Sequence, residues 1–215
     1  MKISKSKNEE QEKIWKGGFG DEYVDRMMTK EIQNSAYKER TGFTEEEVFK
    51  EFFQDLDRNI TILEVGCNRG LKLSILQEMG FKNLNGIEIN QKAASIAQQQ
   101  LPTARIFNQS IEKFNEKSQY DLVYTATMLI HVNPLAIEEV IAKMDNLSKK
   151  YIFGLEYFSE KLEKVEYRNY EDALWKQNFP EIFKKINSNW DIEKKRIIQY
   201  KDEGKKDITY LLRKN

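Results

Sequence analysis

A short apolar segment followed by an acid and two glycines is the part of this sequence best suited to nucleotide chemistry. The segment is ILEVGCNRG, residues 62–70, with Glu64 before Gly66 and with Gly70 four residues further on. A glycine turn after a buried strand lets a ligand approach the backbone closely. A dinucleotide site also needs a glycine at the third position, where this sequence has Asn68. The turn therefore favours a ligand without a pyrophosphate, with Asn68 and backbone N–H groups as donors.

A second acid, Glu88, lies near the end of LNGIEI, residues 84–89, in the next apolar segment. An acid at the end of a second strand is placed to accept hydrogen bonds from a ribose diol. Glu64 and Glu88 could instead be ordinary carboxylates at strand ends, but their positions beside the glycine turn favour nucleoside binding. For Cys67, a small residue in the turn is a simpler account than a nucleophile.

The elements that must position these residues alternate between strand and helix. Strands are predicted for the segments TILEV, LNGIEI, ARIF, YDLVYTA and KYIFGLEYF, at residues 61–65, 84–89, 104–107, 120–126 and 150–158, and helices at 71–79, 91–100 and 134–147. Strands that are apolar on both faces lie inside parallel sheets covered by helices. The predicted fold class is therefore α/β, with a doubly wound, Rossmann-like, mostly parallel sheet.

The two ends of the chain have other patterns. Residues 8–30 read as two helices separated by a break at GGFG, and residues 44–57 as an amphipathic helix with a capping box. Residues 171–187 are predicted to be helical. Residues 192–200 and 207–214 are predicted to form an antiparallel hairpin at the sheet edge, because a short polar turn with a glycine joins them.

The composition excludes some classes of partner and site. Lys and Arg number 35, Asp and Glu number 35, and the sequence has one cysteine and one histidine. A neutral chain has no general attraction to nucleic acid, and a single histidine and cysteine give no clustered ligand spacing for zinc. Since no apolar run is long enough for a membrane span or a signal peptide, we expect a soluble cytoplasmic protein. The oligomeric state stays open.

Three motifs in order, LEVGCNRG, GIEIN and YDLVYTATMLIHV, resemble those of class I S-adenosylmethionine-dependent methyltransferases over Ile62 to about Phe158. The flanking segments WKGGFGDEYVDR, LIHVNP and YIFGLEYF…VEYRNYEDALWKQNF are similar to methyltransferases associated with pseudaminic acid biosynthesis. The resemblance implies S-adenosyl-L-methionine as cofactor, S-adenosyl-L-homocysteine as product, and a small-molecule acceptor. That acceptor would be a nonulosonic acid sugar, free or nucleotide-activated, or its precursor. Residues 1–57 would form a helical lid and residues 58–215 the methyltransferase domain, in one compact unit.

The resemblance also implies roles for individual residues. Glu88 would bind the ribose hydroxyls, Glu64 would lie near the methionine amino group, and Tyr23 would reach the methionine carboxylate when the lid closes. Many relatives carry an acid against the adenine amino group, where this chain has only Gln109 or Ser110. The predicted cofactor-binding set is Tyr23, Glu64, Gly66, Cys67, Asn68, Gly70, Glu88, Ile89, Gln109, Ser110, Ile111 and Thr125, although Ile89 and Ile111 could equally be core.

The acceptor side is predicted after the fourth and fifth strands. His131 is a candidate general base, because an attacking hydroxyl or amine must lose a proton and histidine titrates near neutral pH. It could equally bind a loop or the substrate without proton transfer. Glu156 and Tyr157 end the fifth strand and are predicted to hold the acceptor, with Glu156 also catalytic or paired with Arg168. Arg168 is a candidate for a substrate carboxylate.

Two other functions compete with transfer to a small molecule. One is methylation of RNA or protein, which a continuous basic groove at the site would favour and a closed pocket would not. The other is a cofactor-binding scaffold without catalysis, against which the set Glu64, Gly66, Gly70 and Glu88 argues.

Overall fold

The computed structural model describes residues 8–26, 29–117, 119–168, 170–201 and 204–215. In chain order, the elements are α1 (Glu9–Lys16), α2 (Gly18–Arg26), α3 (Lys30–Thr41), α4 (Glu45–Phe53), β1 (Thr61–Val65), α5 (Leu71–Glu78), β2 (Asn83–Glu88), α6 (Gln91–Gln100), β3 (Arg105–Asn108), β4 (Tyr120–Ala126), α7 (Ile137–Leu147), β5 (Ser148–Tyr157), β6 (Glu163–Tyr167), β7 (Tyr170–Lys176), α8 (Phe179–Ile186), β8 (Trp190–Gln199) and β9 (Lys206–Lys214).

A seven-stranded sheet forms the centre, in the order β3-β2-β1-β4-β5-β9-β8. The first five strands run parallel, and β9 pairs antiparallel with both β5 and β8. This order confirms the predicted α/β, Rossmann-like class and the C-terminal hairpin. Because β1, β2 and β4 are parallel neighbours, their carboxyl ends lie at one edge of the sheet, where a ligand binds in this architecture.

Helices cover both faces of the sheet. On one face, α4 presents Phe49, Phe52 and Phe53 to Phe153 of β5, with 4.7 Å between the ring centres of Phe53 and Phe153. The other face packs against α7 and α8. The capping box predicted for α4 is present, since Glu47 N donates to Thr44 Oγ1 at 3.0 Å and Thr44 N donates to the Glu47 carboxylate.

The prediction of a continuous helix at residues 171–187 is wrong. Residues 170–176 form β7, which pairs antiparallel with β6 as a separate hairpin, and the helix is confined to Phe179–Ile186. The strand buries Ala173, Leu174 and Trp175 in succession against the rest of the molecule, a pattern that tertiary packing decides. Helix α3 was not predicted, because few of its side chains are buried and its apolar periodicity is weak.

The N-terminal helices lie over the carboxyl edge of the sheet. The predicted break falls at Gly17, whose extended backbone (φ −92°, ψ −162°) ends α1 before α2 begins. Asn90, the N-cap of α6, joins this pair to the domain by donating to Trp15 O at 3.1 Å and to Asp21 Oδ1 at 2.9 Å. Among the described residues, no helix has the length and apolar character needed to cross a membrane. The division at residue 57 stays a prediction.

Candidate active site

A cavity of about 170 Å³ lies over the carboxyl ends of β1, β2 and β4, beneath α1 and α2. Its floor is formed by the segments that follow these strands and β3, and its roof by side chains of the two N-terminal helices. Of the predicted residues, those that line it are Tyr23, Glu64, Gly66, Cys67, Asn68, Glu88, Ile89, Gln109, Ser110, Ile111 and His131. The topology therefore brings together residues from five separate segments of the sequence.

The glycine turn after β1 is held in a conformation that favours glycine. Gly66 has φ +77°, and a Cβ there would lie 2.4 Å from Met128 Cγ at the cavity wall. The backbone N–H groups of Gly66 and Cys67 both donate to Ile87 O, at 2.8 and 3.0 Å. Gly70, also in the left-handed region with φ +78°, lies outside the cavity lining and starts α5. The turn is thus fixed to β2 while its inner side stays open to a ligand.

Glu88 ties the end of β2 to this turn. One carboxylate oxygen accepts from Asn68 N and the other from Asn90 N, both at 2.7 Å. Burial raises the pKa of Glu88, and these backbone donors oppose the rise. Each carboxylate oxygen can accept a second hydrogen bond, so a buried acceptor pair faces the cavity in a fixed orientation. Asn68 adopts φ +46°, and its side-chain oxygen accepts from Arg69 N.

Glu64 lies deeper, at the end of β1. Tyr124 donates to its Oε2 at 2.8 Å, and burial raises its pKa to about 8. Lys72, in the first turn of α5, also lines the cavity and forms a buried ion pair with Glu45 of α4. This end of the cavity therefore offers both a carboxyl group and an ammonium group to a ligand that carries the complementary pair.

His131 ends a 3₁₀ turn, Leu129–His131, that follows β4. Its Nδ1 lies 2.6 Å from Ala173 O, and its ring lies between those of Trp15 and Tyr167, with centres 4.6 and 5.2 Å away. Burial lowers its pKa to about 4, so the ring is neutral near pH 7. Since a carbonyl only accepts, Nδ1 carries the proton and Nε2 is an acceptor. That tautomer is the form a general base requires, although the low pKa makes it a weak base.

The structure places Glu156 beneath the cavity, not in its lining. Its Oε1 accepts from Met128 N at 3.2 Å and Leu129 N at 3.3 Å, and its side chain is fully buried. Burial raises its pKa to about 7. The predicted contact of Glu156 with substrate does not hold in this structure. Its carboxylate is fully buried and accepts hydrogen bonds from the start of the turn that carries His131. Thr125, also fully buried, lies outside the cavity lining as well.

Two further predicted residues lie on the approach to the cavity. Arg168, at the tip of the β6–β7 hairpin, is exposed and lines a separate surface cleft with Phe19, Arg26 and neighbouring side chains. Its guanidinium lies 5.6 Å from the Tyr167 ring centre. Among the described residues, no ion pair joins Arg168 to Glu156, because one is exposed and the other buried. Tyr157 is half-buried at the end of β5 and does not line the cavity.

Several cavity residues were missed from the sequence. Asn8, Gln11 and Glu12 line the roof together with Trp15. They recur at the spacing of one helix face, but three of the four are polar, so a search for an apolar stripe passes over them. Among the described residues, no group of three or more His, Cys, Asp or Glu side chains could hold a metal ion.

Comparison with known proteins decides the class of this site. Residues 62–151 match a family model described as a methyltransferase domain. The match spans the glycine turn, Glu88 and His131. Together with solved structures of the same fold that hold S-adenosylmethionine or S-adenosylhomocysteine, it confirms the predicted enzyme class, an S-adenosylmethionine-dependent methyltransferase, and the predicted cofactor. A search of curated proteins found no match.

Solved structures share the fold of this methyltransferase at low sequence identity. Magnesium protoporphyrin IX methyltransferase from Synechocystis PCC 6803, with bound SAM, is 13% identical with a TM-score of 0.65, and the alignment covers 97% of each chain. The 1,6-didemethyltoxoflavin-N1-methyltransferase of Burkholderia thailandensis is 13% identical with a TM-score of 0.63, covering 79% of this chain and 76% of that one. The [4+2]-cyclase SpnF is 11% identical with a TM-score of 0.62, covering 79% and 80%. The fold is therefore shared with proteins of different activity.

Proposed function

We propose that this protein transfers a methyl group from S-adenosylmethionine to a small-molecule acceptor. The observation that carries the proposal is the placement of Glu64 and Glu88 on either side of the Gly66 turn in one buried cavity. Glu88 would hold the ribose hydroxyls with its second lone pairs, and Glu64 the methionine ammonium. When bound, the cofactor supplies a methyl group that its sulfonium has already activated.

The charges that line the cavity suit a cationic ligand. Glu12, Glu64 and Glu88 contribute three carboxyl groups, and the cations among the described lining residues are Arg69 and Lys72. Lys72 already pairs with Glu45, and Glu12 with Lys16, so the carboxyl groups left to face the ligand are those of Glu64 and Glu88. A bound ammonium would favour the ionised form of Glu64, whose pKa burial raises to about 8. Gly66 contributes the clearance, since a side chain at this position would meet Met128.

The remaining task of the chain is to align the acceptor and to receive its proton. His131 presents an unprotonated Nε2, because its Nδ1 proton is committed to Ala173 O. Glu156 would keep the His131 turn in place from beneath by holding two of its N–H groups. Trp15 and Tyr23, whose ring centres lie 5.3 Å apart, would exclude water from the reacting groups.

A small molecule is the acceptor that the surroundings of the cavity favour. Side chains of helices α1 and α2 line the cavity from above, and the net charge of the chain is zero, which favours a small molecule over a folded RNA or protein. The toxoflavin-precursor and magnesium protoporphyrin methyltransferases that share the fold carry the names of small molecules.

Within that class we propose a nonulosonic acid sugar, free or nucleotide-activated. The support is the resemblance of the flanking segments to pseudaminic acid-associated methyltransferases, and the cleft beside the lid. That cleft is lined by Arg168, by the aromatic rings of Phe19 and Tyr170, and by Arg26, which pairs with Glu22 of the same cleft at 3.2 Å. A guanidinium suits a sugar carboxylate and aromatic rings suit the apolar face of a sugar.

Two measurements test the proposal. Calorimetry should detect stoichiometric binding of S-adenosylmethionine, and no binding would refute the methyltransferase assignment. A labelled-methyl assay should then show transfer to nonulosonic acids and not to RNA or protein. The matched control is the same sugar with its carboxylate esterified, which should be a poorer acceptor. Equal transfer to both forms would refute a role for the arginine cleft, and transfer to RNA alone would refute the small-molecule assignment.

A further inference from the structure

Helix α1 buries polar side chains where a helix ordinarily buries apolar ones. Gln11 is 4% exposed and Glu12 is 7% exposed, and both line the roof of the cavity beside Trp15. Burying an amide and a carboxylate is costly unless each polar atom has a partner. Each polar atom of these two side chains therefore needs a hydrogen-bond partner.

Each of the two side chains has one oxygen whose hydrogen-bonding capacity is unmet. Gln11 Nε2 donates to Asp172 O at 3.0 Å, and Glu12 Oε2 accepts from Lys16 Nζ at 2.9 Å. Gln11 Oε1 and Glu12 Oε1 are buried and accept no well-formed hydrogen bond among the described residues, and the same holds for the Ser110 hydroxyl beside Glu12. Ser110 can donate one hydrogen bond to Glu12, but each oxygen has two lone pairs, so the remaining acceptor capacity calls for a ligand with N–H or O–H donors.

Glu12 is moreover held as a carboxylate. Burial raises the pKa of Glu12, but the Ser110 hydroxyl and the ammonium groups of Lys16 and Lys113 lower it more, and the net pKa lies below the ordinary value. An ionised oxygen makes stronger hydrogen bonds than a neutral one. Burying it without a donor therefore costs more free energy.

The contact of Glu12 with Ser110 places it beside the segment that follows β3. Ile111, the next residue after Ser110, and Ile89, the next residue after Glu88, line the same cavity as Glu12. Two isoleucines beside a buried acceptor form an environment for a flat, largely apolar ring with an N–H at its edge. The segment after β3 offers no acid of its own, since residues 108–110 are Asn-Gln-Ser.

We propose that Glu12 Oε1 accepts a hydrogen bond from the exocyclic amino group of the cofactor's adenine. The inference rests on the proposed function. It assigns recognition of the base to the lid helix α1 instead of to the segment after β3. Cofactor binding and closure of α1 are then one event, because the adenine supplies the donor that the buried carboxylate lacks.

The test is calorimetry with two ligands: S-adenosylhomocysteine, and its analogue with purine in place of adenine, which lacks the amino group. The wild-type protein should bind the purine analogue roughly tenfold to hundredfold more weakly, the usual worth of a hydrogen bond to a charged group. In Glu12→Ala that discrimination should fall to near unity. In Glu12→Gln, which keeps the shape and a neutral acceptor, it should be intermediate. Glu10→Gln, an exposed site on the same helix, is the matched control and should discriminate as the wild type does.

The outcomes separate the two claims. Discrimination that persists in Glu12→Ala, or an equal loss of affinity for both ligands in both Glu12 variants, overturns the inference and leaves the proposed function standing. If neither ligand binds the wild-type protein, the proposed function itself fails. Because the readout is a ratio of two affinities measured on one variant, a general weakening of the lid cancels. If Glu12→Ala does not fold, Glu12→Gln carries the test alone.

Discussion

Substituting Gly20 by alanine should open the lid without disturbing the sheet. A Cβ at Gly20 would lie 1.9 Å from Trp15 O, 2.8 Å from Trp15 C and 2.9 Å from Asn90 Nδ2. Real Cβ atoms essentially never approach closer than 3.0 Å, so α1 or the Asn90 side chain must move by about 1 Å. That movement acts on the hydrogen bonds by which Asn90 holds Trp15 O and Asp21.

The magnitude follows from these contacts. Overpacking a fitted site costs about 1–3 kcal/mol, and each of the two hydrogen bonds at risk contributes about 1 kcal/mol. If both hydrogen bonds are lost, the closed lid is destabilised by roughly 3–5 kcal/mol. Apparent affinity falls in proportion to the closed population, so we expect at least about a tenfold loss of S-adenosylmethionine affinity in Gly20→Ala. The melting temperature of the protein should stay within a few degrees of the wild-type value, because the core of the sheet lies away from the clash.

The matched control is Gly18→Ala, in the same helix. A Cβ there has no atom within 4 Å, and alanine favours the helix by up to about 1 kcal/mol. Calorimetry with the cofactor, and the rate of tryptic cleavage after Lys13 and Lys16, should show a weakened lid in Gly20→Ala and an unchanged or firmer lid in Gly18→Ala. Wild-type affinity in Gly20→Ala, or an equal loss in both variants, would refute the reasoning.

Three other substitutions give separate tests. Glu88→Ala should weaken cofactor binding by at least about hundredfold in calorimetry, because it removes two charged acceptors, and unchanged affinity would contradict the ribose role. His131→Ala should lower turnover by about 10²–10⁴ with nearly normal cofactor affinity, and full activity would exclude it as the base. Burial raises the pKa of Glu156 from 4.5 to about 7, so the protonated carboxyl group contributes its full stability below pH 4.5. That contribution is lost as the pH rises from 4.5 to 7. Relative to Glu156→Gln, wild-type stability to urea should therefore fall by up to about 3 kcal/mol across that range, and a flat difference would place the carboxyl elsewhere.

The sheet could be predicted because its local and tertiary signals agree. The strands around Glu64 and Tyr124 are apolar on both faces, which fits only an interior position in a helix-covered sheet. The β6–β7 hairpin lacks that agreement. Most of β6 is exposed, and β7 is held by contacts such as that of Ala173 with His131, across 42 residues of sequence. Such contacts leave no periodic trace in the sequence of the strand itself.

The residues of the site also differ in how far the sequence could predict them. The predictions for the Gly66 turn and Glu88 depended on one strand–turn–helix–strand unit, β1 to β2, whose segments are consecutive in the sequence. Glu12 meets Ser110 only because α1 folds back over the sheet, so no spacing rule connects the two residues. Glu156 was misplaced for a related reason. A position at a strand end does not fix the direction of the side chain, and this one lies inward, beneath the His131 turn.

The buried contact between Cys67 and Gly86 gives the protein an internal reporter of its cofactor turn. The Cys67 side chain packs over Gly86, where even a methyl group would lie 2.6 Å from Sγ, and burial raises the pKa of the thiol well above its ordinary value. Because Cys67 is 3% exposed, a thiol reagent should reach its sulfur slowly while the turn stays on β2 and faster when the turn opens. Because the sequence has one cysteine, the rate of its modification measures that opening directly, at a single atom and without an attached probe.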